Sequence, residues 1–253
     1  MMARRAAIGF FAAGISVVLS GCDGLTHERF EPIRYRLTAE VETPEGLRIG
    51  SSVIEVTWAM SRTSPPLGGA GYSVKGEAAA VDLPMGDTLF VLLRSADDVD
   101  WAAWVIKKIP TAGKAEQPKP NAGDREAQVA STRRELDLIR ADRSVYPVWN
   151  PKAPHAMPGI DTPTMVRFRD TDDPMSVESV DPVDFAKVLG PGYRLKALTV
   201  QITDDPVTLG IEKRLRWLGL HKGMLDNSGD ANRLHKEAAK NLTKRDFVRG
   251  NLK

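Results

Sequence analysis

From Ile33 to Thr43 the chain alternates without a break. Ile33, Tyr35, Leu37, Ala39 and Val41 are apolar, and Arg34, Arg36, Thr38, Glu40 and Glu42 fall between them. Successive side chains of a strand point to opposite faces, so this run forms a half-buried β-strand with one dry and one solvated side. A helix would scatter the same residues around its circumference. Thr43-Pro44-Glu45-Gly46 then supplies proline and glycine for a turn. Beyond it Ile54, Val56, Trp58 and Met60 alternate with Glu55 and Thr57, which predicts a second strand.

The same punctuation continues. A loop holding Pro65-Pro66 and Gly68-Gly69 leads to a third strand over 72–83, whose apolar parity shifts near Ala80-Val81 and implies a bulge. Pro84-Met85-Gly86-Asp87 is another turn, and Leu89 to Leu93 is apolar on both faces, as a central strand is. Four strands joined by short turns read as an antiparallel meander. Residues 101–108 fit either helix or strand. A stretch rich in Pro, Ala, Lys and Gly at about 110–124 reads as a flexible insertion. Asp124 is placed to cap a helix running to about 140, with Val129, Leu136 and Ile139 on its buried face. Five prolines between 147 and 163 predict extended, irregular chain. Strands follow over 165–169 and 195–203. Asp181-Pro182 and Asp205-Pro206 look like starts for helices over 183–189 and 208–218, since aspartate caps the first turn and proline has no amide to leave unpaired.

The expected fold is therefore α+β: an antiparallel meander sheet of five or six strands, two or three short helices on one face, and a helical C-terminal tail. Residues 33–220 form a single domain, and 221–253 a basic, partly helical tail.

The N-terminal segment says where the protein works. Arg4 and Arg5 precede a run of 14 uncharged residues, Ala6 to Leu19, the length of a secretory hydrophobic region and too short to span a bilayer. Leu19-Ser20-Gly21-Cys22 comes next, and Cys22 is the only cysteine of the chain. It has no partner for an internal disulfide. The Leu19, Ser20, Gly21, Cys22 motif resembles the lipobox of bacterial lipoproteins. That resemblance implies removal of residues 1–21, a diacylglyceryl group on the Cys22 thiol, and a tether over 22–32. Each buried methylene contributes about 0.8 kcal/mol, so two acyl chains anchor stably. Asp23 leans the expectation toward the inner membrane, with the domain facing the periplasm.

Charge supports no nucleic-acid partner. The chain carries 35 basic and 33 acidic residues, and Arg4 and Arg5 lie ahead of Cys22, so 33 of each remain in the mature chain. The balance is uneven, however. From Ala231 onward seven basic residues face two acidic ones. Lys236, Lys240, Lys244 and Arg245 in this tail are candidates for contact with an anionic bilayer, at roughly 1 kcal/mol per basic residue close to the surface.

Other blocks look familiar. Tyr35 to Gly46 with Gly50 to Val56, Phe168-Arg169-Asp170 with Asp173-Pro174, and Asp204 to Thr208 with Gly210 to Leu215 resemble a group of proteobacterial proteins of unknown function. The likeness spans most of 33–218 and implies a domain, with no catalytic residue attached.

Catalytic signatures are missing from the sequence. His27, His155, His221 and His235 are too far apart for zinc-type spacing, and no nucleophile elbow, P-loop or dinucleotide fingerprint occurs, so no cofactor is expected. Asp170, Asp172 and Asp173 gather three carboxylates after a strand, a weak candidate cation site that lacks the glycine and distal glutamate of a calcium loop. An aspartate-rich turn is the simpler reading. Arg167 and Arg169, on one strand face beside them, are expected to pair across strands. The leading functional expectation is a binding or structural role in the envelope. The alternative is an envelope hydrolase with dispersed carboxylates, such as Asp170 or Glu55, as acid and base.

Overall fold

The computed structural model describes residues 27–61, 69–111, 120–121, 123–152, 159–220, 225 and 241–250. Its architecture is α+β with antiparallel sheets. The alternating run is β2 (Ile33–Thr43), preceded by β1 (His27–Arg29) and followed by β3 (Gly46–Ser61) and β4 (Ala70–Glu77). Ile33, Tyr35, Leu37, Ala39 and Val41 are all buried, while the residues between them are partly exposed. The solvated face carries ion pairs between neighbouring strands. Arg34 Nε lies 2.7 Å from Glu55, Lys196 Nζ lies 2.9 Å from Glu40, and Arg194 pairs with Glu42.

The meander holds through β2–β3–β4 and then changes sheet. What reads as one strand over 72–83 is two: β4 stops at Glu77, and β5 (Ala79–Asp82) joins a second sheet with β6 (Thr88–Ser95). Gly76 takes φ +143 at the break, and the Ala78 amide donates to the Phe247 carbonyl at 2.7 Å, which draws the strand off its former line. Gly50 lets the two sheets approach. A Cβ there would stand 2.1 Å from the Ala80 carbonyl oxygen, a distance no side chain tolerates.

The other described elements are α1 (Trp101–Trp104), α2 (Arg125–Ala141), β7 (Val145–Trp149), β8 (Pro163–Phe168), β9 (Val177–Ser179), α3 (Ala186–Leu189), β10 (Arg194–Ile202), α4 (Lys244–Phe247) and β11 (Val248–Arg249). The larger sheet runs β11-β4-β3-β2-β10-β7, with β1 beside β3, and the smaller runs β5-β6-β8-β9. Two cores result. Leu89, Val91 and Leu93 of β6 face the first, with the buried side of β2 and with Trp101, Leu136 and Ile139. Phe90 and Leu92 face the second, with Val166, Phe168, Trp217, Phe247 and Val248. This explains why β6 is apolar on both sides.

Asp124 caps α2, accepting from the Ala127 amide at 2.9 Å, and Leu136 and Ile139 are its buried residues. Residues 101–108 are helical, one α-turn followed by a 3-10 turn. Strand β7 reaches into the proline-rich stretch expected to be irregular. It is an edge strand of the larger sheet, where Pro147 is tolerated.

The helix expected over 208–218 does not form. Residues 211–213 and 216–219 are two separate 3-10 turns. The Asp205 carboxylate accepts from Arg36 and from the Thr203 hydroxyl rather than from helix amides. Thr208 meanwhile binds β3: its amide donates to the Val53 carbonyl at 3.0 Å, and its hydroxyl oxygen accepts from the Val53 amide at 2.8 Å. The helix over 183–189 shrinks to α3 after an Asp181 turn. Most of the 110–124 insertion and of the tail lies outside the described residues.

Candidate functional site

The C-terminal arm, residues 241–250, belongs to the fold. Leu242, Phe247 and Val248 are buried in the second core, where Phe247 packs edge-on against Phe90 and Trp217. β11 extends the larger sheet by pairing with Glu77 and Gly76 of β4. Asp246 reaches back to the Thr243 amide (2.7 Å) and hydroxyl (3.0 Å), closing the first turn of α4. Of the basic, partly helical tail expected over 221–253, residues 241–250 contain one helical turn and a short buried strand.

Where the arm crosses β4 and residues 94–100 it walls a cleft of about 750 Å³. Tyr72, Val74, Val99 and Val248 form its less polar sides, and Arg94, Asp100, Lys244, Arg245, Asp246 and Arg249 bring charge to it. Arg249 ties the parts together. Its Nη1 donates to Asp100 Oδ1 at 3.1 Å, Nη2 donates to the Val99 carbonyl, and Nε donates to the Arg245 carbonyl at 3.3 Å. Arg94 does the same, donating to the carbonyls of Ser95 (3.0 Å), Asn241 (2.9 Å) and Ala96 (3.3 Å). Both guanidiniums use their planar fork to hold backbone in place.

Tyr72 donates to Asp100. Burial, reinforced by that bond to a carboxylate, pushes the phenol up to about 12. Burial opposes the charged form of Asp100, but the hydrogen bonds from Tyr72 and Arg249 outweigh it and hold the carboxyl below its ordinary range. Tyr72 thus stays protonated and Asp100 stays ionised near neutrality. A phenol that keeps its proton and a carboxylate that takes none are poorly matched to general acid–base work. The chain Tyr72–Asp100–Arg249 acts as a rigid polar scaffold.

Cys22, Leu19, Ser20, Gly21, Lys236 and Lys240 lie outside the described residues. Lys244 and Arg245 sit on α4 and line the cleft. Asp170 Oδ1 accepts from the Asp172 amide at 2.9 Å and Asp173 Oδ1 from the Met175 amide at 2.8 Å, so these carboxylates organise their own loop. Among the described residues no group of three His, Cys, Asp or Glu side chains is placed to hold a metal ion. Arg167 and Arg169 both pair with Glu178, at 3.0 and 3.2 Å, and Arg167 also meets Asp87 at 3.1 Å. Glu55 is engaged by Arg34 on the outer face of the larger sheet, while Asp170 follows β8 in the smaller. Neither carboxylate lines the cleft.

Of the cleft residues only Lys244 and Arg245 stand out in the sequence, as candidates for lipid contact; the rest do not, because the lining comes from three separate stretches. One local signal was present: Thr243-x-x-Asp246 ahead of Phe247-Val248 is a helix-start pattern leading into apolar residues.

No family model, curated protein or solved structure matches this chain. The likeness of residues 33–218 to the proteobacterial group therefore stands as an expectation.

Proposed function

We propose that this protein is a lipid-anchored component of the bacterial envelope, facing the periplasm, with a binding or structural role. One observation carries the reading: a lone cysteine, Cys22, directly follows Leu-Ser-Gly and a 14-residue uncharged run behind two arginines. The rest is compatible with it. No helix among the described residues is long and apolar enough to cross a membrane. A cleft whose Tyr72 keeps its proton and whose Asp100 stays ionised suits binding better than proton transfer. Partners are then the membrane, through the acylated N-terminus, and a ligand or envelope protein.

The test is the mass and location of the mature protein. Cys22→Ser should abolish the added acyl mass and block removal of residues 1–21, leaving a precursor that carries the uncleaved segment and no acyl group. A Cys22→Ser protein with the same mature terminus and the same membrane retention as the wild type would refute the anchor.

A further inference from the structure

We propose that the cleft between β4, residues 94–100 and the C-terminal arm binds a small anionic ligand, one bearing a phosphate or carboxylate group, and that Lys244 and Arg245 are the side chains that recognise it. The proposal rests on the binding role above and is independent of the lipid anchor.

The charges in the cleft do not balance. Four cations (Arg94, Lys244, Arg245 and Arg249) line it with two acids, Asp100 and Asp246. Both acids have internal partners. Asp100 accepts from Arg249 and Tyr72, and Asp246 accepts from Thr243 with Arg94 4.0 Å from its other oxygen. Arg94 and Arg249 are likewise committed to backbone carbonyls. Lys244 and Arg245 remain. Neither side chain has an ion-pair partner within 4 Å among the described residues; Arg245 acts on Asp100 only at longer range, so two adjacent positive charges over a concave wall are compensated only in part. Low-dielectric walls focus such a field and raise the local concentration of counter-ions.

The two cations complement each other. Lysine offers a mobile point charge and arginine a planar fork that matches a carboxylate or phosphate in two-point contact. Their backbone is fixed, because α4 is pinned between Asp246 and the buried Phe247, so little order must be gained on binding. The volume, about 750 Å³, lies within the range of small-molecule sites. Beside the charges, the Tyr72 ring and Val74, Val99 and Val248 offer an apolar surface, so the best ligand carries a ring or hydrocarbon body behind its anionic head. A flat bilayer surface would meet only the rim of such a recess. The same two side chains were expected from sequence to contact lipid, and the concavity favours a ligand that enters.

Calorimetric titration of the full-length chain in neutral detergent tests this, with inorganic pyrophosphate and citrate as phosphate and carboxylate probes, and phosphatidylglycerol-doped micelles as a third arm. Saturable binding of pyrophosphate or citrate is expected at low salt, weakening as salt is raised. The double variant Lys244→Ala/Arg245→Ala should lose about tenfold or more in affinity with its melting temperature preserved. Lys75→Ala, at an exposed position on β4 that does not line the cleft, should bind as the wild type does. Absence of saturable binding to either probe, or binding that the double variant retains in full, overturns the proposal. A response confined to phosphatidylglycerol micelles overturns it in favour of a bilayer contact. None of these outcomes bears on Cys22, so failure here and failure of the anchor are separately visible.

Discussion

Strand β2 and the C-terminal arm each complete one of the two cores, and they use different chemistry to do so. β2 contributes five fully buried apolar residues in strict alternation and pairs along its length with β3 and β10. Its position follows from burial alone, since a one-residue slip would turn the whole apolar set to solvent. The arm has only Leu242, Phe247 and Val248 to bury and a two-residue strand to pair. It is held instead by polar locks at both ends: Arg94 on the Asn241 carbonyl, Asp246 on Thr243, and Arg249 on Asp100 and Val99. Two cations left over from those locks give the cleft its character. A segment with little hydrophobic content can thus be as buried as a core strand, provided its charges are satisfied in place.

The largest expected effect sharpens this comparison. Phe247→Ala removes the one aromatic side chain by which the arm enters the second core and should cost about 3–5 kcal/mol in chemical denaturation, comparable with Leu37→Ala in β2 at about 2–5 kcal/mol. If Phe247→Ala left stability unchanged, the arm would be an appendage and the two regions would not be equivalents.

A smaller effect separates the two by pH. The Asp100 carboxyl is depressed in the folded state, so its contribution is present above the ordinary value of 3.8 and is lost as pH falls through the lowered folded value. Asp100→Asn should therefore be less stable than the wild type near neutrality, and the gap should close on acidification below 3.8. Denaturation midpoints followed over that range check the sign. A gap that persists at low pH would mean Asp100 acts through packing rather than charge.

The two regions also differ in how far the sequence reveals them. Alternation in 33–43 and 54–60, double-sided apolarity in 89–93 and the Asp124 cap each depend on neighbours in sequence, and each appears in the structure. The misread elements all depend on partners far away. Asp205 looked like a helix cap because nothing local showed that Arg36, 169 residues distant, would take its carboxylate. The single strand over 72–83 looked continuous because the bond from Ala78 to Phe247 lies across the fold. The burial of the arm is hidden because its three basic residues, Lys244, Arg245 and Arg249, are visible in sequence while the acid and carbonyls that hold Arg249 are not. The candidate site is assembled from 72–74, 94–100 and 243–250, and no local pattern links those stretches.

Amide hydrogen exchange on the full-length protein tests the central claim, that the arm is a structural wall of the cleft, most directly. The amides of Asp246 and Val248, bonded to the carbonyls of Thr243 and Lys244, and the Ala78 amide bonded to Phe247, should be protected to a degree approaching that of β3 and β4. Exchange of the arm amides at the rate of an unstructured peptide, with β3 fully protected, would contradict it.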